Sequence, residues 1–297
     1  MPLDQLQLNF NPESLKLLNV IIGLIMFGVA LDLKVDDFKR LAASPIPPLI
    51  GLAGQFILLP ALSFLWTLIL KPPPSIALGM ILIAACPGGN VSNFLTHLAK
   101  GNTALSVSVT AISTAVALVM TPINLTFWGK LNAATAPTLH RINLDPLEVF
   151  YTVIIILGIP LAAGMLVAHH APKLAGRLRR PLKIFSLVFL VSFIIVIFAL
   201  NWDNFLTYVP QIWFAVFIQN GIGLWGGYAL SRVFRLPRRD ARAISIEVGI
   251  QNSALGLALI FGFFAGLGGM ALVAAWWGVW HLVSGLTVAL IWSKRPV

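Results

Sequence analysis

The 297-residue sequence has few charged side chains, and this scarcity excludes most soluble folds. Charged residues make up 10% of the chain and hydrophobic residues 58%, and the mean hydropathy is +0.91. Soluble domains carry about 25% charged residues. A bilayer-spanning helix needs about 20 apolar residues, and stretches of that length recur here with short polar intervals between them. We therefore expect an all-α integral membrane protein without a soluble catalytic domain.

Cysteine is almost absent, and the usual motifs of intramembrane enzymes are missing. Cys86 is the single cysteine, which excludes an intramolecular disulfide and a cysteine-based metal cluster. The first residues contain Asp4 and Glu13 but no early basic or apolar run, so no cleaved signal peptide is expected. The sequence has no HExxH motif, no paired intramembrane aspartates and no convincing Ser/His dyad. We predict that the protein is not an enzyme.

Nine apolar spans lie between Gly, Pro and charged boundaries. They cover approximately residues 14–33, 45–69, 75–99, 102–129, 146–168, 182–201, 208–234, 238–264 and 268–293. The interval 131–145 is predicted to be a loop. Residues 1–13 are expected to form an N-terminal tail and residues 14–297 a single transmembrane unit.

The basic residues predict how the chain is oriented in the cell membrane. The formal net charge is +10, but Lys and Arg are spread between spans, so nucleic acid is not an expected partner. With nine spans, 16 of the 20 basic residues fall on one side of the membrane and 4 on the other. Short basic loops stay cytoplasmic, which places the C-terminus in the cytoplasm and the N-terminal tail outside. Anionic lipid headgroups should gather at the cytoplasmic clusters, and no obligatory protein partner is evident.

The third span contains a predicted helix break. Residues 86–90, Cys-Pro-Gly-Gly-Asn, put a proline and two glycines in mid-membrane. Pro87 removes a backbone donor, and the glycines permit unwound backbone, which is tolerated at this depth only beside protein or water. A simple proline kink is the alternative. Ser92 and Asn93 begin a polar cluster directly after these residues, and this cluster favours a true break.

Glu247 is the one carboxylate of ten that lies well inside an apolar span. A charge there costs several kcal/mol unless it faces a cavity or a cation, so intramembrane carboxylates usually mark ion or proton pathways. The alternative is a neutral glutamic acid that bridges helices. Gly249 and the polar residues 251–253, Gln-Asn-Ser, favour a second broken helix around Glu247 instead.

Polar residues in the neighbouring spans suggest an internal repeat. Ser106 and Thr110 share one face of the fourth span. Gln55 in the second span and Gln219-Asn220 in the seventh each precede a broken span. The order of amide-bearing helix, broken helix and polar helix thus occurs twice, and the three spans between the copies reverse the second copy. This pattern predicts the inverted-topology repeat of secondary transporters, with two broken helices that cross.

Two broken helices meeting at mid-depth would join two kinds of binding site. Helix N-termini attract anions, whereas carbonyl, hydroxyl, amide and carboxylate oxygens suit a hard cation such as sodium. The combination predicts a symporter. The alternative is a proton-coupled or sodium-independent anion carrier in which Glu247 titrates.

The segments CPGGNVSNFLTHLAKGNTALSVSVTAIST and EVGIQNSALGLAL, with LIMFGVALDLKVDDFKR, GQFILLP and VWHLVSG, resemble the bile acid:sodium symporter family. The resemblance implies that a core and a panel domain move against each other to carry an organic anion, bile-acid-like or a small carboxylate, with two sodium ions. The core domain would comprise about 75–129 and 208–293, with 45–69 packed in it. The panel domain would comprise about 14–44 and 146–201.

The resemblance also implies site residues. One sodium site would use Ser92, Asn93, Ser106, Thr110 and Glu247. The other would use Gln55, Glu247, Gln251 and the carbonyls of Val248 and Ile250. The substrate is expected near Asn90, Val91, Asn252 and His281.

The chain departs from many bacterial relatives in two respects. Those relatives have ten spans, and LIMFGVALDL resembles their second, so the first helix of the first repeat is expected to be missing. They also often have Thr in place of Asn90 and His-Asn in place of His281-Leu282. Both changes lie near the expected pocket, which leaves the identity of the anion open.

Overall fold

The computed structural model describes residues 12–32, 44–141, 151, 154–200 and 202–296. Within these ranges the chain is helical and has no strand, which confirms the all-α prediction. The helices, numbered in chain order, are α1 (Pro12–Ala30), α2 (Ile46–Leu70), α3 (Pro74–Ala85), α4 (Val91–Leu98), α5 (Thr103–Leu131), α6 (Ala136–Arg141), α7 (Ile159–His170), α8 (Pro172–Leu200), α9 (Trp202–Val233), α10 (Arg238–Gly249), α11 (Ser253–Phe263) and α12 (Gly268–Ser293).

The third and eighth predicted spans are both interrupted. Residues 86–90 separate α3 from α4, and residues 250–252 separate α10 from α11. Each span is therefore a pair of shorter helices joined by extended backbone, as the Pro-Gly-Gly and Gly-Ile-Gln-Asn segments predict.

Three of the described helices, α2, α5 and α12, are long and apolar enough to cross a membrane. Shorter apolar helices are α3, α7, α11 and the segment Val20–Ala30. The brevity of α3 and α11 follows from the two breaks, since each is half of an interrupted span. The count of nine spans stays a prediction.

The prediction of a continuous loop over 131–145 is wrong in part, because α6 lies within it. Asn132 ends α5, and its side-chain oxygen accepts a hydrogen bond from the backbone N–H of Ala134 at 2.9 Å. Pro137 then supplies a backbone angle suited to the first turn of a helix. Residues 142–150 and 152–153, where the fifth span was predicted to begin, lie outside the described residues, as do 1–11 and 33–43.

Two prolines shape α2, which precedes the first broken span, and α7. A π turn occupies Gly54–Leu58 within α2, and another, Ile154–Gly158, precedes α7. Pro60 and Pro160 follow these turns, and proline has no N–H for the carbonyl four residues earlier. A wider turn accommodates the interrupted hydrogen-bond ladder. In α2 that turn contains Gln55, which enters the candidate site.

Two glycines one turn apart let α9 approach α10 closely. A methyl group on Gly223 would lie 3.0 Å from the Val248 carbonyl oxygen, and one on Gly227 would lie 2.9 Å from the Ile244 carbonyl oxygen. Small residues are a common means of close contact between membrane helices. The approach places Asn220 of α9 at the end of α10.

The helices α1, α7 and α8 pack against one another and form a group of their own. Gly164 of α7 faces Phe27 and Ala30 of α1 so closely that no side chain would fit. Arg179 of α8 donates a hydrogen bond to the Leu31 carbonyl oxygen at 2.9 Å. These helices fall in the predicted panel region, but its movement as a separate domain stays a prediction.

Candidate functional site

The two helix breaks cross and satisfy each other's backbone groups. Gly89 N–H donates to the Ile250 carbonyl oxygen at 2.8 Å, and Asn252 N–H donates to the Pro87 carbonyl oxygen at 2.8 Å. Gly88 and Gln251 thereby form an isolated antiparallel bridge. Unwound backbone inside a membrane must find such partners, because lipid offers none. The crossing therefore holds both breaks open as extended chain.

Side-chain amides from neighbouring helices cap the half-helices that enter the crossing. Gln55 Nε2 donates to the Cys86 carbonyl oxygen at 3.0 Å, at the end of α3. Asn220 Nδ2 donates to the Gly249 carbonyl oxygen at 2.8 Å, at the end of α10. The last carbonyls of a helix have no partner within it. An amide from the preceding long helix meets this need in each half of the chain.

Glu247 lies at the centre of a buried cluster of oxygen atoms. Its Oε2 accepts hydrogen bonds from Ser92 Oγ at 2.5 Å and Ser106 Oγ at 3.1 Å, and its Oε1 accepts one from Thr110 Oγ1 at 2.7 Å. Asn93 Oδ1 accepts from the Ser106 and Thr110 hydroxyls at 2.9 and 3.2 Å. Glu247 and Ser106 are fully buried. The structure thus brings together all five residues of the first predicted set.

The oxygen atoms of this cluster that can accept hydrogen bonds outnumber the hydroxyl protons that can be donated to them. Ser106 Oγ lies within bonding distance of both Glu247 Oε2 and Asn93 Oδ1, although a hydroxyl has one proton. Thr110 Oγ1 faces the Glu247 carboxylate, Asn93 Oδ1 and the Ser106 carbonyl oxygen within 3.2 Å. A cation among these atoms would satisfy the surplus acceptors.

The composition of the cluster favours a monovalent cation. It contains one carboxylate, and the other ligand atoms are neutral oxygens, which suit hard cations such as sodium. Among the described residues, no three His, Cys, Asp or Glu side chains come together as they would at a transition-metal site.

The residues of the second predicted set lie close together, but their side-chain amides form hydrogen bonds to other members of the set. Gln55 Nε2 donates to Gln251 Oε1 at 2.5 Å, and Gln251 Nε2 donates to the Val248 carbonyl oxygen at 2.7 Å. The Ile250 carbonyl oxygen accepts the Gly89 N–H of the crossing. Gln55 Oε1 is buried, and it has no hydrogen-bond partner within the described part of the chain. Among the described residues, this oxygen is the one polar oxygen of the set that accepts no hydrogen bond.

Gly88 provides the space that the Glu247 carboxylate occupies. A Cβ atom at position 88 would overlap Glu247 Oε1, whereas one at position 89 would come no closer than 3.4 Å to any neighbour, the Gln251 carbonyl oxygen. Neither glycine has a positive φ. The requirement at Gly88 is therefore one of space rather than of backbone conformation.

The four residues predicted to bind the anion are not joined to one another by side-chain hydrogen bonds within the described part of the chain. Asn90 and Val91 lie at the start of α4, half-buried and exposed respectively. Asn252 precedes α11, and its Oδ1 accepts the Leu255 N–H at 3.1 Å. His281 is buried in α12 and, within the described residues, no hydrogen bond joins it to the other three. The structure brings Asn252 to the crossing, and no hydrogen bond within the described residues joins His281 to it.

A small cavity lies where the crossing meets the α1 and α7 group. Pro87 and Asn252 line it from the crossing, Thr114 from α5, Met26 from α1 and Leu161 from α7. It leaves about 10 Å³ for the centre of a water molecule, close to the minimum that one buried water needs. Among the described residues, this cavity is too small to hold an organic anion.

Two polar residues of the site were not predicted as ligands. Thr96 Oγ1 donates to Ser106 Oγ at 3.3 Å and so borders the cluster. Its position four residues after Ser92 places both on one face of α4, a spacing that could have identified it. Asn220 stands out in the sequence as an amide in a span, but its partner in α10 follows only from the packing of the two helices.

Comparison with known proteins identifies the family. Residues 19–208 match the model of the Sodium Bile acid symporter family. The chain is 35% identical to the uncharacterized sodium-dependent transporter YocS of Bacillus subtilis (strain 168), over 94% of this chain and 83% of that protein. It is 32% identical to the probable sodium/metabolite cotransporter BASS1, chloroplastic, of Arabidopsis thaliana, over 92% of this chain and 66% of that protein. It is 28% identical to the human ileal sodium/bile acid cotransporter, over 80% of this chain and 67% of that protein.

The crossing helices and these matches define a multi-pass membrane transporter. The chain belongs to the sodium bile acid symporter family. The resemblance in the sequence is thereby confirmed, and so is the prediction that the protein is not an enzyme.

Proposed function

We propose that the protein is a secondary active transporter of the cell membrane that carries an organic anion together with sodium ions by alternating access. The observation that carries this proposal is the buried oxygen cluster around Glu247. A fully buried carboxylate held by three hydroxyl groups and without a basic partner among the described residues is stabilised either by a proton or by a bound cation. Sodium would be that cation, and its transmembrane gradient supplies the driving force.

The first sodium ion would bind among Ser92, Asn93, Ser106, Thr110 and Glu247. Their oxygens already converge from α4, α5 and α10, so binding requires small shifts of hydroxyl groups rather than of helices. The hydroxyl groups would turn their oxygen lone pairs toward the ion, which would join the α4 half-helix to the α10 half-helix. Occupancy would therefore stiffen the crossing.

A second sodium ion would bind between Gln55, Gln251, Glu247 and the carbonyls of Val248 and Ile250. The buried Oε1 of Gln55, which has no hydrogen-bond partner within the described residues, supports this assignment. Gln55 and Gln251 would have to exchange their mutual hydrogen bond for ion contacts. The second site is thus expected to form on binding, whereas the first is nearly preformed.

The organic anion would bind where the crossing faces the α1 and α7 group. The N-termini of α4 and α11 carry partial positive charge there, and Asn90, Val91 and Asn252 lie beside them. His281 of α12 would supply a further contact to the bound anion. The present cavity is too small for such a ligand. The panel helices must therefore move away from the core, as alternating access requires.

The named relatives support sodium coupling and an organic substrate. YocS is described as sodium-dependent, BASS1 as a sodium/metabolite cotransporter and the human ileal protein as a sodium/bile acid cotransporter. A bile-acid-like molecule or a small carboxylate is the substrate class that agrees with them and with a site between two half-helix N-termini. The similar pair of amide caps on α3 and α10 supports an inverted repeat, the arrangement from which two-sided access arises.

Uptake into proteoliposomes tests the proposal. We expect an inward sodium gradient to drive uptake of a labelled bile acid or of one of a set of small carboxylates, and an equal potassium gradient to drive none. Glu247→Ala should abolish uptake while the protein still purifies as a monodisperse species. Uptake that follows a proton gradient and ignores sodium would support the proton-coupled alternative and refute sodium symport.

A further inference from the structure

A pocket rich in arginine lies at the C-terminal end of α12. It forms where α9, the start of α10 and the residues after α12 meet, and its volume is about 340 Å³. Its lining consists of three arginines, two aromatic residues and a proline: Arg238, Arg242, Arg295, Tyr228, Trp292 and Pro296. The lining contains no acidic side chain. Three guanidinium groups thus share one concave site, and none of the described residues that line it supplies a carboxylate to balance them.

Arg242 is held rigidly at the base of this pocket. Its Nη1 donates to the carbonyl oxygens of Ala99 and Trp292 at 2.9 and 3.2 Å, and its Nη2 donates to those of Arg295 and Pro296 at 3.4 and 3.1 Å. The guanidinium carbon also lies 5.8 Å from the centroid of the Trp292 ring. Arg242 is 4% exposed. Its hydrogen bonds go to neutral carbonyls, so its full positive charge stays in the site.

The surroundings of Arg242 add positive rather than negative charge. Arg238 is the first residue of α10, where the helix dipole is positive, and a basic residue is unfavourable there unless an anion is near. Asp240, in the same turn, accepts a hydrogen bond from Asn102 Nδ2 at 2.8 Å and does not line the pocket. Among the described residues, no carboxylate forms an ion pair with the three arginines.

The residues in and around the pocket are of the kinds that favour the headgroup region of a bilayer. Tyr228 and Trp292 lie with ring centroids 5.6 Å apart at the rim, and such aromatic residues favour the membrane interface. The adjoining ends of α9 and α12 present exposed apolar side chains, including Val233 and Ile291. A ligand in the pocket would therefore adjoin lipid-facing surface, which suits a molecule with a phosphate group and acyl chains.

We propose that this arginine pocket binds the phosphate of an anionic phospholipid headgroup. Arg238 and Arg295 supply the donors that remain for the phosphate, while Arg242 supplies a fixed charge behind them. Because Arg242 joins the ends of α4 and α12 with the last residues of the chain, a bound headgroup would stabilise these ends together. The inference does not depend on which anion the protein transports.

Thermal unfolding in mixed micelles tests the pocket, in potassium buffer without sodium. We expect phosphatidylglycerol to raise the unfolding temperature and phosphatidylcholine, at the same mole fraction, to raise it much less. Arg295→Gln should increase the half-saturating mole fraction of phosphatidylglycerol about tenfold or more, the effect of losing one hydrogen bond between charged groups. This substitution keeps the backbone carbonyl that Arg242 uses, so the fold should be retained.

Lys294→Gln is the matched control, since Lys294 is the exposed neighbour of Arg295 and lies outside the pocket. It should respond to phosphatidylglycerol as the wild type does. Equal responses to the two lipids, or an Arg295→Gln protein that responds as Lys294→Gln does, would overturn the proposal. Stabilisation by inorganic phosphate alone, to the same extent as by phosphatidylglycerol, would identify free phosphate rather than a lipid as the ligand and would also overturn it.

Discussion

Gly88→Ala is the substitution with the most specific expected effect, because the new methyl group would occupy the place of a Glu247 carboxylate oxygen. Glu247 is fully buried, so its carboxylate cannot turn out to solvent. It must withdraw by roughly 1 Å to regain van der Waals distance from the methyl group. The three hydroxyl groups of Ser92, Ser106 and Thr110 cannot all follow, since they belong to two different helices.

The expected size of the effect follows from the hydrogen bonds that this withdrawal breaks. A hydrogen bond to a charged group contributes about 1.5–3 kcal/mol. Loss of one such bond from the ion-binding geometry would weaken sodium binding about 10- to 100-fold, at about 1.4 kcal/mol for each factor of ten. The fold should be less affected, because the carboxylate is the mobile end of a side chain and the backbone of the crossing stays in place.

The sodium concentration that gives half of the maximal thermal stabilisation measures this effect in purified protein. Gly89→Ala is the matched control, since a methyl group there comes no closer than 3.4 Å to its neighbours. We expect a half-saturating sodium concentration at least tenfold higher for Gly88→Ala and close to the wild-type value for Gly89→Ala. If the two variants had the same half-saturating sodium concentration, Gly88 would not be providing the space that the Glu247 carboxylate needs to bind sodium.

The remaining predictions concern single hydrogen bonds around the crossing. Thr110→Val removes a hydroxyl donor to Glu247 and should raise the sodium concentration for half-maximal uptake about tenfold or more; Ser113→Ala, which removes only a bond to a carbonyl of its own helix, should not. Asn220→Leu leaves the buried Gly249 carbonyl oxygen without its donor and should destabilise the protein by about 1–3 kcal/mol. Denaturant or thermal unfolding measures that loss, and unchanged stability would show that another group replaces the amide.

The helix breaks could be predicted because they depend on local chemistry. Pro87 cannot donate a backbone hydrogen bond, and glycines beside it permit extended backbone, so residues 86–90 carry their own signal. Glu247 also stood out alone, since a carboxylate in an apolar span needs a partner. These features follow from the residue types and their depth in a span, and the structure agrees with both.

The partners of these residues could not be predicted in the same way. The pairing of Gly89 with Ile250 depends on the path of the whole chain between them. Asn220 reaches the end of α10 only because Gly223 and Gly227 bring two backbones together. His281 illustrates the reverse case. It lies in the span that follows the second broken span, but within the described residues no hydrogen bond joins it to the crossing. Contacts of this kind are set by packing, which a single sequence does not encode in any short motif.

The most direct test of the account is the thermal stability of purified protein in sodium and in potassium at equal ionic strength, for the wild type and Glu247→Gln. A ligand that binds only the folded state stabilises it by RT ln(1 + [L]/Kd), about 2.7 kcal/mol at 100 times Kd. The account predicts sodium-specific stabilisation of the wild type that disappears in Glu247→Gln, which keeps the shape of the side chain but removes its charge. A monodisperse wild type with the same unfolding temperature in both salts would contradict the assignment of the oxygen cluster as a sodium site.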